Sequence, residues 1–289
     1  MIQQNLDNPR PSFLTGIKRL KHSLDQVSWP LKITVIYLVV ILILPMTALL
    51  TKSAGVGFTE FWRIATTPVA LSTYHVTFVT ALVAAAINGF MGTLIAWVFV
   101  RYEFPGRKLI DSVIDLPFAL PTSVAGLLLA TLYSEKGWIG HLLTPFGWRI
   151  SFTRWGVLVA MLFISLPFVI RTLQPVLQEM EIEVEEAAWC LGASPGQTFW
   201  RVILPPLIPP ILTGVALGFS RAVGEYGSIV AIAANIPFQD LIAPVLVFQR
   251  LEQYDYTGAA VIGTVLLLTS LVLLLVINSL QNWGRRYAN

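Results

Sequence analysis

The sequence predicts an all-α, polytopic membrane protein with six transmembrane helices, and three observations lead there. Hydrophobic residues make up 55% of the 289 and charged residues only 12%, where a soluble surface carries about a quarter to a third charged side chains. Stretches of roughly 20 apolar residues, the length that crosses a bilayer, recur along the chain, and the mean hydropathy is +0.71. Finally, residues 171–206, lying between two such stretches, hold five glutamates in a helical pattern.

The elements follow in order. Residues 1–29 are polar and carry Arg10, Lys18, Arg19 and Lys21, which predicts a tail, with an amphipathic surface helix over 16–27. The first apolar run begins only after it and ends Leu49-Leu50-Thr51-Lys52 without a small-x-small cleavage site, so it reads as a span and not as a signal peptide. The transmembrane permease domain occupies 30–289. Its spans are expected near 31–50, 76–100, 109–133, 155–170, 207–234 and 259–280. The segment 51–75, with Phe58, Phe61 and Trp62, suits an interface. Pro105-Gly106 breaks a basic turn at 101–108. A polar and aromatic loop fills 137–154, and another loop of about 25 residues joins the last two spans.

Six spans place both termini on one side. The tails, the 101–108 turn and the 171–206 loop hold twelve lysines and arginines, the three opposite loops hold six, and Arg221 lies inside the fifth span. Basic residues concentrate in cytoplasmic loops, so both termini are expected in the cytoplasm. The formal charge of +3 and pI near 9.1 therefore report topology and a lipid bilayer as partner, not nucleic acid. Cys190 is alone, and His22, His75 and His141 have no metal-ligand spacing. No catalytic, metal-binding or cofactor-binding set is expected. Without a G-x4-G-K-[ST] loop the chain has no ATP site of its own, so energy must come from another subunit or from an ion gradient.

In the 171–206 loop, Leu173, Leu177, Met180, Val184, Ala187 or Ala188, and Leu191 recur at steps of three and four, one apolar stripe of a helix. Glu179, Glu181, Glu183, Glu185 and Glu186 cover much of the remainder. Gly192 can end that helix because glycine reaches positive φ at little cost. Ser194-Pro195 reads as an N-cap with proline in the first turn of a second, short helix. Pro205-Pro206 is expected to end it. Such a corner either rests on the headgroups or docks a partner. Five acids disfavour the first, since the cytoplasmic leaflet is itself negative.

The spacing Glu186-Ala187-Ala188, three residues, Gly192, nine residues, Val202-x-Leu204-Pro205 resembles the signature loop of the permease subunits of bacterial ABC importers, which usually have isoleucine where Val202 stands. The resemblance covers the chain from the second span onward. It implies the type I ABC importer permease fold, and that this loop is a pair of coupling helices docking on an ATP-hydrolysing subunit. Glu186 would then face the ATPase, Ala187 and Ala188 would permit close packing, and Gly192 would make the turn.

Two spans carry polar or broken character. In the third, Asp115-Leu-Pro117-Phe-Ala-Leu-Pro121-Thr122-Ser123 has two prolines that remove helix hydrogen bonds. It reads either as a kinked packing helix or as part of a translocation path. Asp111 and Asp115 share a face and would oppose an anion if they lined a pore. In the fifth span Arg221 and Glu225 are four apart, so they can neutralise each other, or Arg221 can attract an anion while the pair gates the path. Gly214 and Gly218 make a small-x3-small packing face. The third-span run, with Gly137-Trp138-Ile139-Gly140 beyond it, is similar to sulfate and molybdate permeases and nearest to the T-type permeases of sulfate/thiosulfate importers.

That resemblance implies import of sulfate or thiosulfate across the inner (plasma) membrane of a bacterium. Its implied partners are a related second permease forming a heterodimer, two copies of a nucleotide-binding ATPase subunit and an extracytoplasmic sulfate-binding protein. Molybdate or tungstate import is the alternative within the family, and ion-coupled secondary transport the alternative outside it.

Overall fold

The computed structural model describes residues 29–288, with side chains except at 278 and 280–288. The expected tail, apart from Trp29, and its helix over 16–27 lie outside the described residues. Every regular element among them is helical. The chain divides into two compact units, 1–52 and 53–289.

Helix α1 (Trp29–Ala54) has no buried side chain in its most apolar window and contains a π-turn at Val39–Ile43. The elements that follow are α2 (Phe58–Ala65), α3 (Pro68–Arg101), α4 (Arg107–Ile114), α5 (Leu116–Ala119), α6 (Thr122–Tyr133), α7 (Arg154–Glu179) and α8 (Ile182–Cys190). They are succeeded by α9 (Pro195–Val223), α10 (Gly227–Ile232), α11 (Ala243–Glu252) and α12 (Tyr256–Ala288). Five of these, α1, α3, α7, α9 and α12, are long and apolar enough to cross a membrane.

The centre of the second unit is a three-helix contact of α3, α7 and α9, and its closeness follows from glycine. A Cβ on Gly92 of α3 would lie 2.8 Å from Cβ of Val169, and one on Gly214 of α9 would lie 2.8 Å from Val169 Cα. Val169 of α7 is therefore seated between two glycine gaps, and Gly218 meets Ser165 in the same way. In lipid, helices associate through such packing and through polar contacts rather than through hydrophobic burial. Asn88 supplies one, its Nδ2 donating to Leu162 O at 2.9 Å and to Ser165 Oγ at 2.8 Å. Thr67 and Thr153 cap the starts of α3 and α7 with their side chains.

Four expectations are corrected here. The third span is not one helix. The chain turns at Asp115 and again at Leu120–Pro121, where both residues are extended, leaving α4, α5 and α6 as separate pieces. The fourth span runs on to Glu179 through Pro167 and Pro175, because Leu173 and Leu177 bury completely against Ile203 and Leu207 and that packing outweighs two lost backbone bonds. Pro205-Pro206 does not end the helix before it. A π-turn over Phe199–Ile203 shifts the hydrogen-bond register where these prolines have no N–H to donate, and α9 continues through them. The fifth span then stops at Val223, eleven residues short of its expected end at 234, and the loop after it contains α11.

Candidate functional site

The 171–206 segment forms two helices meeting at a corner. Helix α8 ends in a Schellman arrangement: Gly192, at φ 83°, donates to Trp189 O, and Ala193 donates to Ala188 O. A capping box then starts α9, with Gln197 N on Ser194 Oγ at 3.3 Å and Ser194 N on Gln197 Oε1 at 2.9 Å. The stripe expected over Leu173–Leu191 is interrupted at Met180–Glu181, where the backbone is extended. Leu173 and Leu177 are in the core, whereas Val184 is exposed and Leu191 is 90% exposed. The corner thus offers apolar side chains outward, together with Glu186, Ala187 and Gly192, which are all exposed. Ala188, Val202, Leu204 and Pro205 are half-buried.

One glutamate behaves differently. Glu185 is buried and pairs with Arg101 Nη2 at the end of α3. The Arg101 guanidinium lies over the Trp97 ring at 5.3 Å, and Trp97 meets Phe199 edge to face at 6.2 Å. The residues are 84 apart in sequence, so no local spacing announces the pair. The only legible signal was a basic residue ending one span and an acidic run after another.

A second pairing resolves Asp111 and Asp115. Arg171 of α7 donates Nε and Nη2 to the two oxygens of Asp115, both at 2.7 Å, and Nη1 to Asp111 Oδ1 at 2.7 Å. It also donates to Asp111 O, and Gln174 Nε2 donates to Asp111 Oδ1 at 3.0 Å. The two carboxylates hold α4 and the turn into α5 onto α7, and Arg171 offsets part of their charge.

The third and fifth spans meet where both are broken. Thr122 and Ser123 open α6 against Gly227, the first residue of α10. A Cβ on Gly227 would sit 2.2 Å from Thr122 Oγ1, and one on Gly126 would sit 2.4 Å from Ser228 O. Arg221 Nη1 donates to Glu225 Oε2 at 2.7 Å, as the spacing predicts. However, α9 has ended at Val223 by then, and Glu225 belongs to the turn. Its other oxygen accepts from Ser228 N and Ser228 Oγ, both at 2.8 Å. Glu225 is fully buried while the Arg221 side chain keeps 33% exposure. Pro117 lies within α5, and Pro121 precedes the first turn of α6. Phe118 packs edge to face on Phe168 of α7 at 5.1 Å. The seam therefore gathers Thr122, Ser123 and, through Glu225 and Ser228, Arg221 around two helix starts; Pro117 stands one turn away.

Similarity to known proteins places this architecture. The curated sulfate transport system permease protein CysT of Synechocystis is 70% identical over 92% of this chain and 93% of its own. Its namesake in Synechococcus elongatus is 64% identical over 91% and 95%. A crystal structure of a bacterial ABC transporter involved in import of the polysaccharide alginate superposes with a TM-score of 0.71 over 93% of this chain and 98% of that one, at 18% identity, which speaks to the fold alone. Residues 88–286 match the family described as the inner membrane component of binding-protein-dependent transport systems. A multi-pass helical protein of this pattern, matched over most of its length, belongs to that family of ABC importer permeases.

Proposed function

We propose that this chain is the permease subunit of an ATP-driven importer for sulfate or thiosulfate, working with a separate ATPase, a second permease and an extracytoplasmic binding protein. The observation that carries the substrate is the identity of 64–70%, over nine tenths of the chain, to sulfate transport permeases. For the coupling step it is the outward presentation of Glu186 and Ala187 on α8 and of Gly192 at the corner after it, while neighbouring Glu185 is buried.

In this reading both termini and the 171–206 corner face the cytoplasm, in keeping with the excess of basic residues there. ATP binding draws the coupling corners of the two permeases together, opening the path outward to the loaded binding protein. Hydrolysis resets it inward. The chain makes and breaks no covalent bond; it converts movement at residues 186–205 into alternating access, an energetic coupling of two sites. The broken seam of Pro117, Pro121, Thr122, Ser123, Arg221 and Glu225 forms part of the translocation path or its gate. Broken helices at membrane depth are tolerated where they line a cavity or pack on protein. A guanidinium one-third exposed there, its charge partly offset by Glu225, gives a dianion a polar passage while limiting how long it is held.

Uptake of labelled sulfate into proteoliposomes holding the assembled complex, with binding protein and ATP, tests the proposal. ATP-dependent uptake blocked by thiosulfate and little affected by molybdate supports it. Uptake that ignores ATP and follows an imposed ion gradient overturns it, and competition by molybdate alone reassigns the anion. Glu186→Lys is expected to release the ATPase while leaving membrane insertion intact. Normal copurification and uptake in that variant would remove the coupling role from this corner.

A further inference from the structure

Helix α8 is poorly supported for an element that must transmit force. Its ends are pivots: extended backbone at Met180–Glu181 on one side and Gly192 at φ 83° on the other. Its packing is mainly against the start of α9, Pro195–Ile203. Beneath it lies a cleft of about 300 Å³ lined by Val176, Met180, Val184, Glu185, Val202 and Ile203. A helix hinged at both ends over a cleft would tilt under load and absorb the displacement.

The Arg101–Glu185 pair bridges α8 to the end of α3. The other four glutamates of 179–186 are exposed, and Glu185 is turned inward. Both partners are mostly withdrawn from solvent, with side chains 14% and 11% exposed. Arg101 Nε is buried without an acceptor, and Glu185 is the carboxylate that pairs with its guanidinium among the described residues. The same guanidinium lies on Trp97, which touches Phe199 in the π-turn of α9. Arg101 therefore ties together the end of a 34-residue helix, about 50 Å of rise, the hinged helix and the entry to α9.

We infer that Arg101 and Glu185 are positioning residues for energy coupling: their ion pair is the strut that passes displacement of α8 into α3, instead of letting the hinges take it up. The inference rests on the coupling role proposed for residues 186–205. A broken strut predicts a transporter that still binds its ATPase and still hydrolyses ATP, but moves less substrate per ATP.

The test compares Arg101→Glu, Glu185→Arg, the double charge swap and Arg101→Lys in the fully assembled complex in proteoliposomes, beside Glu186→Lys. Three quantities are read from each: ATPase copurification, ATP hydrolysis with loaded binding protein, and sulfate uptake. In the two single reversals, uptake per ATP is expected to fall about ten-fold, within the span of typical coupling free energies, with copurification retained. The charge swap is expected to recover much of that loss, as directly interacting pairs do. An unchanged ratio in both reversals overturns the inference, and so does a swap no better than its parents. If the reversals fail to reach the membrane, Arg101→Lys decides: it keeps the charge but loses the planar fork, so normal assembly with a reduced ratio supports the strut and an unchanged ratio overturns it. Loss of copurification in Glu186→Lys with a normal ratio in the Arg101 variants would retain the docking corner and reject only the strut.

Discussion

Two of the protein's arginine–glutamate pairs, the two with a buried carboxylate, have opposite designs. Arg221–Glu225 is local, four residues apart, and its carboxylate is fully buried while the arginine keeps a third of its side chain exposed. Arg101–Glu185 joins residues 84 apart, and both members are mostly buried. In the first, the glutamate spends its second oxygen on Ser228 and so starts α10. In the second, the glutamate leaves the rest of its helix free and the arginine does the joining. Proximity in sequence makes a pair that shapes its own turn, whereas distance makes one that links elements. One buried carboxylate serves local architecture and the other joins helices distant in sequence.

Breaking the local pair should have the largest effect on stability. Glu225→Ala strands Arg221 beside the α10 start and removes three accepted hydrogen bonds; loss of one partner of a buried pair costs about 3–5 kcal/mol. A marked fall in Tm of the purified permease, with poor membrane yield, is the expected result. A Tm unchanged from the parent would show that solvent satisfies Arg221 without Glu225 and that the buried carboxylate does not hold the start of α10.

The Arg171 clamp is intermediate, since its members are 29–47% exposed. Arg171→Ala should cost about 1.5–3 kcal/mol, the scale of hydrogen bonds to charged groups, and act locally. Amide exchange is expected to quicken across α4 and α5 while α3 stays protected. Equal acceleration in α3 would mean that the clamp supports the whole bundle.

Gly192→Ala probes the corner without touching either pair. Nothing lies within 4 Å of an added Cβ, so the cost is backbone strain alone, about 1–2 kcal/mol for a residue with a left-handed φ. Uptake should fall more than Tm, because the strain falls on the presented corner. The reverse order would make Gly192 a structural residue only.

The smallest effect is expected at Glu60, whose carboxyl is held below its ordinary value chiefly by the hydrogen bond from exposed Arg63. A depressed carboxylate contributes above its ordinary pKa, and that contribution is lost as pH falls through the lowered one. Exposed pairs contribute little in any case. Glu60→Gln should leave uptake and Tm at neutral pH where they were, and a clear loss would require a partner at α2.

What could be read from the chain alone was whatever repeats locally. The spans at α3, α7, α9 and α12 follow from apolar length, and the Gly192 corner with its Ser194 cap follows from residues whose conformational preferences are intrinsic. Arg221–Glu225 followed from spacing. Tertiary structure decided where competing local signals were settled by distant neighbours. The fourth span was expected to stop near residue 170 and Pro205-Pro206 looked like an end, yet burial of Leu173, Leu177 and Leu207 and a shifted hydrogen-bond register carried the helices through. The same packing turned Glu185 inward to Arg101, and Asp111 and Asp115 toward Arg171, leaving Leu191 outside. A residue's own chemistry sets what conformations and partners it accepts, but which of them it meets depends on helices brought alongside from 50 or more residues away.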